Sequence, residues 1–127
     1  MNLARAMAVS LAVSAAAAPS VAHAAAQRCF YSNDFRTWRA ADARTIYIRV
    51  GTNSYYRLDL STECRMLLLP NVHLVNRIRG SNLICTAIDW DLNVVQGVGG
   101  ISQPCIVRTM TALTPPEAAA IPKKFKP

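Results

Sequence analysis

Two acidic residues on either side of a tryptophan are the first side chains whose spacing suggests chemistry. Asp89 and Asp91 flank Trp90 in the segment CTAIDWDLNV, and residues two apart on a strand lie about 6–7 Å from each other. That distance is near the spacing of the carboxylate pair in glycosidases. The acid of such a pair needs an apolar pocket to keep its proton, and nothing in the sequence near Asp91 indicates one. We therefore predict no glycosidase.

A histidine and one of these acids form the second candidate. The strand pairing predicted below places His73 opposite Asp89, and such a pair could serve a small hydrolase that acts on cell-envelope material. A serine hydrolase is not indicated, because the chain has no GxSxG segment. The segment DWDLN lacks the glycine turn and the closing glutamate of a calcium loop. We keep the hydrolase as the alternative function and predict no catalytic residue, metal or cofactor.

The chain contains four cysteines: Cys29, Cys64, Cys85 and Cys105. No two of them lie within four residues of each other, so their spacing does not suit a zinc site. An even number of cysteines in an exported chain indicates disulfides, and all four are expected to be paired. Three pairings are possible. We favour Cys29–Cys64 and Cys85–Cys105, because each bridge then links neighbouring segments.

The N-terminal residues are typical of a secretory signal peptide. Arg5 precedes an apolar run over residues 6–18, and Ala22-His23-Ala24 supplies the small residues that signal peptidase requires. The apolar run is shorter than the roughly 20 residues that span a bilayer. We expect a periplasmic or secreted protein with no membrane span after cleavage. The predicted organisation is a signal peptide at 1–24, a single disulfide-bonded β domain at 25–122 and a basic tail at 123–127.

The middle of the chain alternates between apolar and polar residues. This alternation in RTIYIRV and YYRLDL predicts two half-buried strands. The three residues Gly51 to Asn53 would join them as a hairpin, with Asn53 in the left-handed conformation. Because apolar faces must match across a pair, the register is determined. The predicted pairs are Ile48 with Tyr56, Ile46 with Leu58, Arg49 with Tyr55, Tyr47 with Arg57, and Thr45 with Asp59.

A second hairpin is predicted from VHLVNRIR and LICTAIDW, joined by the loop Gly80–Asn82. Trp90 would then lie on the core side of the sheet, and Asp91 would help to end the strand. The predicted pairs are Ile78 with Ile84, Leu74 with Ile88, and His73 with Asp89.

Further strands are predicted near Thr37–Ala40 and in CIVRTMTAL. The segment TPPEAAAIP predicts a short helix that begins after Thr114, with Pro115 in its first turn and Glu117 completing a capping box. Pro122 would end it. The fold class expected from these elements is mainly β: an antiparallel sheet or small open barrel with a short C-terminal helix and two disulfides.

Basic residues outnumber acidic ones in the chain. It has 14 Lys and Arg against 7 Asp and Glu, and a net charge of +7. Arginine and tyrosine interleaved on a sheet surface can bind anionic groups by charge and stacking, although cross-strand pairs on a solvated face would have the same pattern. Export argues against nucleic acid, so we expect an anionic envelope polymer or an acidic protein as partner of a non-enzymatic binding module. The predicted binding face comprises Tyr47, Arg49, Tyr55, Arg57, Arg77 and Arg79.

Several of these segments together resemble a family of small exported bacterial proteins that is defined as a domain of unknown function. The segments are WRAADARTIYIRV, YYRLDL before Cys64, RGSNLICTAIDWDL, and CIV at Cys105. The resemblance covers most of the chain from Cys29 onward. It implies a secreted, cysteine-containing, mainly β domain and no catalytic residues. Ala43 is a departure, because similar proteins often have a second acid after Asp42.

Overall fold

The computed structural model describes residues 28–127, and the predicted signal peptide 1–24 lies outside this part of the chain. The described part has nine strands, one α-helix and four short 3-10 turns. The strands are β1 (Phe30–Tyr31), β2 (Phe35–Ala40), β3 (Thr45–Val50), β4 (Ser54–Leu60), β5 (Val72–Asn76), β6 (Leu83–Ile84), β7 (Leu92–Gln96), β8 (Ser102–Pro104) and β9 (Val107–Ala112). The helix α1 is Pro115–Ala119, and the 3-10 turns are Ser32–Asp34, Arg65–Leu68, Ala87–Asp89 and Lys123–Phe125.

The strands of the described chain form three sheets, and every strand pair is antiparallel. The largest sheet has the order β2-β3-β4-β9, the second has the order β5-β7-β8, and the smallest consists of β1 and β6. This is the mainly β, antiparallel fold with a short C-terminal helix that the sequence predicts.

The β3–β4 hairpin has the predicted register, with Ile46 opposite Leu58 and Ile48 opposite Tyr56. Ile46, Ile48 and Leu58 have no exposed surface. Their β-branched and leucine side chains alternate with polar ones, so one face of the hairpin is apolar throughout and packs into the core. The outer pairs, including Tyr47 with Arg57, also lie opposite each other as predicted.

The loop of this hairpin differs from the prediction in one respect. Gly51, with a φ of 59°, is the residue in the left-handed conformation, whereas Asn53 has a negative φ. Glycine adopts this conformation without the steric cost that a Cβ atom brings. Its N–H also donates to the Asp34 carbonyl at 2.8 Å, which ties the loop to the residue before β2.

The predicted second hairpin is wrong. β5 pairs with β7, so that His73 lies opposite Val95 and Leu74 lies opposite Val94. Leu83 and Ile84 pair with β1 instead. The chain between them and β7 turns away from the sheet at the 3-10 turn Ala87–Asp89, where Ile88 is 89% exposed.

A capping interaction explains why this segment is not a straight strand. The Asp89 carboxylate accepts hydrogen bonds from the backbone N–H of Cys85 and of Thr86, both at 2.8 Å. These bonds close a turn that competes with the extended conformation. Beyond the turn, Trp90 is half-buried against the core as predicted, and its indole N–H donates to the Met110 sulfur at 3.3 Å.

Both disulfides are present, but the favoured pairing is wrong: the bridges are Cys29–Cys85 and Cys64–Cys105. Phe30 lies opposite Ile84 in the β1–β6 pair. The next pair outward in that antiparallel register is Cys29 with Cys85, so the strand pairing itself brings the two thiols together. The prediction assumed that bridges link segments adjacent in sequence, whereas each observed bridge links segments more than 40 residues apart.

The C-terminal helix begins as predicted. The Glu117 N–H donates to the Thr114 hydroxyl, and the Thr114 N–H donates to the Glu117 carboxylate at 2.8 Å. Ala118 and Ile121 are buried, so this short element closes one end of the core. Within residues 28–127, no helix is long and apolar enough to cross a bilayer.

The disulfide pairing yields the first prediction. Mass spectrometry of the non-reduced protein should recover Cys29 linked to Cys85 and Cys64 linked to Cys105. Replacing Cys85 with serine should lower the free energy of unfolding by about 2–5 kcal/mol, the usual effect of losing a disulfide in a small secreted domain. The melting temperature of the variant under non-reducing conditions measures this loss.

Trypsin alone cannot distinguish this pairing from Cys29–Cys105 with Cys64–Cys85, because no lysine or arginine lies between Arg79 and Arg108. Cys85 and Cys105 therefore stay on one tryptic peptide, and a second cleavage before Asp89 is needed to separate them. A reduced sample digested in the same way is the control. A linked pair of Cys85 and Cys105 peptides would contradict the fold.

The connection between β7 and β8 yields the second prediction. A Cβ atom at Gly100 would lie 1.6 Å from the Gln96 carbonyl oxygen. Gly100→Ala should therefore force the backbone to shift and cost about 1–3 kcal/mol of stability. Ile101→Ala is the control, because Ile101 is 74% exposed and its loss should change stability by less than about 0.5 kcal/mol. Equal chemical-denaturation curves for the two variants would exclude this close approach.

Candidate binding face

The outer face of the four-stranded sheet presents its polar side chains in rows. Directly opposite residues of antiparallel strands project from the same face, about 4.5–5.5 Å apart. One row is formed by Arg39, Tyr47, Arg57 and Thr111. This row places a tyrosine between two guanidinium groups. The rows on either side are Thr37, Arg49 and Tyr55, and Thr45, Asp59 and Thr109.

The face is held in part by an ion pair along β4. Arg57 donates from Nε to the Asp59 carboxylate at 2.9 Å, and its Nη2 lies 2.8 Å from the same oxygen. The Thr109 hydroxyl donates to the other Asp59 oxygen at 3.1 Å. The hydrogen bond that Arg57 donates to Asp59 is the main cause that raises the pKa of Arg57, with smaller contributions from the charges of Asp59, Tyr47 and Asp42. Arg57 therefore stays charged, in a fixed position beside Tyr47.

Arg49 is less satisfied than Arg57. It is half-buried, and its Nε is covered and has no hydrogen-bond acceptor among the described residues. A covered donor without an acceptor costs free energy. Tyr55 lies opposite Arg49 on the neighbouring strand β4. The Lys126 ammonium lies 5.5 Å from the centre of the Tyr55 ring, so the basic tail adds a positive charge at this edge of the face.

The structure does not bring Arg77 and Arg79 to this face. They follow β5 and line a separate polar cavity of about 350 Å³ together with Trp90 and the acidic residues Asp89 and Asp91. Arg79 is paired with Asp91 at 2.8 Å. The indole of Trp90 bonds to Met110, which lies opposite the core residue Leu58, so this cavity belongs to the layer that covers the inner side of the sheet.

The structure also does not place His73 opposite Asp89. His73 lies on β5, where it faces Val95, and Asp89 closes the 3-10 turn that precedes β7. The hydrolase alternative thereby loses the strand pairing on which it was based. The backbone N–H of Cys85, followed by that of Thr86, lowers the pKa of the Asp89 carboxyl. A carboxyl stabilised as an anion in this way is suited to capping a turn and is a poor general acid.

Two residues of the face are missing from the sequence-based set. Arg39 joins Tyr47 because β2 pairs with β3, and the alternation of Thr37 and Arg39 with Trp38 and Ala40 could have indicated this. Lys126 reaches Tyr55 through the fold of the C-terminal turn, for which the sequence has no signal. Among the described residues, no three His, Cys, Asp or Glu side chains are grouped so that they could hold a metal ion.

Comparison with known proteins gives no relative: no family model, curated protein or solved structure matches the chain. The resemblance of the sequence to a family of exported bacterial proteins is therefore not confirmed by a family match. The two disulfides fit a protein of a non-cytoplasmic, oxidising compartment.

The third prediction concerns Asp89. Its pKa in the folded state is lowered from the ordinary 3.8. The ionised carboxylate therefore stabilises the fold above pH 3.8, and this stabilisation is lost as the pH falls through the lower, folded-state pKa. Asp89→Asn should lower the melting temperature at pH 7, and the difference from the unmodified protein should narrow as the pH falls below 3.8. Glu63→Gln, at an exposed ion pair, is the control and should change little. A difference for Asp89→Asn that does not vary with pH would contradict the capping role.

Proposed function

We propose that the protein is an exported, non-enzymatic binding module that uses the outer face of its four-stranded sheet to hold an anionic partner. The observation that carries this proposal is the row of Arg39, Tyr47 and Arg57 beside the row of Arg49 and Tyr55. Guanidinium groups recognise carboxylates and phosphates through paired hydrogen bonds, and tyrosine rings between them offer surfaces for stacking.

The charge balance of the face supports an anionic partner. Three arginines stand against the single carboxylate of Asp59 in these rows, and Asp59 is already bonded to Arg57. The covered Nε of Arg49 lacks an acceptor, so an incoming anion that draws this side chain outward would gain a hydrogen bond. In the cell envelope, the matching chemistry is a polymer or lipid surface with repeated phosphate or carboxylate groups, or an acidic protein surface.

Export is the other part of the proposal. It is supported by the signal-like residues 1–24 and by the two disulfides, which persist in oxidising compartments. The proposed location is therefore periplasmic or secreted. The basic tail at 123–127 would add charge near Tyr55 through Lys126.

The fourth prediction tests this face. The disulfide-bonded protein should co-sediment with vesicles of anionic phospholipid and should bind a soluble polyuronate, but should not bind vesicles of zwitterionic lipid. Both interactions should weaken steeply with salt, because they depend on exposed charges. Arg49→Gln with Arg57→Gln should weaken binding at least about tenfold, since each basic residue near an anionic surface contributes about 1 kcal/mol.

The matched control is Arg65→Gln with Arg79→Gln. These two arginines form ion pairs with Glu63 and Asp91 outside the rows of the face, and their replacement removes the same net charge. If both double variants lose affinity equally, binding reflects net charge alone and the proposed face is wrong. If neither anionic probe binds the unmodified protein at low salt, a polyanionic ligand is excluded, and an acidic protein remains to be tested in the same way.

A further inference from the structure

Two of the edge strands of the described chain, β2 and β5, line shared cavities. β2 is the last strand of the four-stranded sheet, and β5 is the last strand of the three-stranded sheet. Phe35 of β2 lines one cavity with Leu74 of β5, and Trp38 of β2 lines another with Val72 of β5. The two open edges therefore run side by side with a slot between them, and no strand pairing joins them.

The backbone groups that face this slot can be identified from the hydrogen-bond alternation. In an antiparallel pair, alternate residues direct their N–H and C=O groups to the partner strand and away from it. The Ala41 N–H donates to the Thr45 carbonyl, so the odd-numbered residue Arg39 of β2 also bonds to β3. The even-numbered residues Trp38 and Ala40 direct their N–H and C=O groups away from β3. No backbone hydrogen bond of the described chain outside its sheet ladders uses them.

The same argument applies to β5. The Gly97 N–H donates to the Asn71 carbonyl, and the Arg77 N–H donates to the Asp91 carbonyl. The backbone groups of residues 73 and 75 therefore bond to β7. The backbone groups of the three residues between and beside them point away from β7, toward the slot. These are Val72, Leu74 and Asn76.

The slot is lined with apolar side chains as well as open backbone. Its two cavities have volumes of about 270 and 390 Å³. The apolar lining of the first includes Phe35, Leu74 and Trp90, and that of the second includes Trp38 and Leu67. The second cavity is also lined by the polar residues Thr37, Arg39 and Asn71. On β2, the first cavity is lined by Phe35 and the second by residues 37–40, so the two cavities are about four positions apart. Four positions on a strand correspond to about 13 Å. Side chains at positions i and i+4 of an extended peptide would match this spacing.

The ends of the described chain lie elsewhere. Arg28 lines a cavity with Tyr55 and Tyr56 of β4, and Lys126 lies over the Tyr55 ring. β4 is separated from β2 by β3 in the sheet order. No described terminal segment of this chain therefore occupies the slot.

Arginines without acidic partners border the slot. The ion pairs among the described residues use Arg57, Arg65 and Arg79. Arg39 on β2 and Arg77 just after β5 form none, and both are exposed. Arg39 lines the second cavity. Arg77 lies between Asn76 and Ile78, which line the first cavity, and it also borders the polar cavity described above. The slot is therefore bordered by positive charge, and apolar side chains such as Phe35, Trp38 and Leu74 line it.

We propose that the slot receives an extended segment of a partner protein in which apolar residues alternate with acidic ones. The segment adds as a strand to the open edges, and its backbone bonds to the outward groups of Trp38, Ala40 and Leu74. Its apolar side chains enter the two cavities, and its acidic side chains meet Arg39 and Arg77. This proposal goes beyond the anionic face, which the slot meets at Arg39 but not at Arg49 or Tyr55, so the module has one surface for an anionic partner and a second for a peptide.

Amide hydrogen exchange on the complete disulfide-bonded protein tests the open edges directly. In the free protein, the amides of Trp38, Ala40 and Leu74 should exchange much faster than those of Ile46 and Ile48, which lie inside the sheet. The probe is the acetylated and amidated heptapeptide Glu-Leu-Glu-Val-Glu-Leu-Glu. Its saturating addition should slow the three edge amides at least tenfold and leave the other two unchanged.

Two altered peptides separate the backbone contribution from the charge contribution. N-methylation of the three apolar residues removes backbone donors and should weaken binding at least tenfold in calorimetric titration. Replacement of the glutamates by glutamine should weaken binding by a similar factor for the unmodified protein. The same change in the peptide should alter its affinity little for the variant Arg39→Gln with Arg77→Gln, because this variant has already lost the charged contacts.

Several outcomes would overturn the proposal. Slow exchange of the edge amides in the free monomer would mean that β2 and β5 already pair with each other. Protection that rises with protein concentration, together with a dimer in sedimentation equilibrium, would identify a second copy of this chain as the occupant. Undiminished binding of the N-methylated peptide would exclude strand addition. In the variant Arg49→Gln with Arg57→Gln, the peptide should still protect the three edge amides in full, so failure here and failure of the anionic face are separate results.

Discussion

The complete burial of one face of the β3–β4 hairpin is the constraint on which the rest of the structure depends. Ile46, Ile48 and Leu58 are shielded from water, and strict alternation then forces every intervening side chain to the outside. A slip of one residue in register would expose these apolar side chains and bury Arg49 and Arg57. The core and the arginine–tyrosine face are therefore two consequences of one register, and a change that disturbs one must disturb the other.

The second layer depends on long-range links rather than on local alternation. β1 and β6 have only two residues each, too few to form a stable pair alone. The disulfide between Cys29 and Cys85 adds a covalent link directly beside this pair. The Phe30 ring packs against Tyr56 of the hairpin at a centroid distance of 4.9 Å. This small sheet thus connects the N-terminal strand to the segment that leads into Trp90 and β7.

These differences explain which parts of the fold were predictable. The β3–β4 register and the Thr114 cap follow from patterns within a few residues, and both are confirmed. The partners of β5 and β6 are set by contacts between distant segments, so the prediction of a local hairpin was wrong. A local signal did exist, because Thr86 and Asp89 have the spacing of a capping box. The binding face was incomplete for a related reason, since Arg39 enters it only through the pairing of β2 with β3.

Open edges in β proteins are commonly protected by charges, and the arginines near β2 and β5 could be explained in that way alone. Protection of this kind places a charged side chain or a proline where an added strand would pair. Here the residues whose backbone groups are open are apolar or small, such as Trp38, Ala40 and Leu74, and each lines a cavity. Arg39 lies between Trp38 and Ala40 and lines their cavity as well, and Arg77 follows β5 directly. Such an arrangement leaves the backbone accessible and restricts which sequence can approach it, which is how a strand-binding site gains specificity.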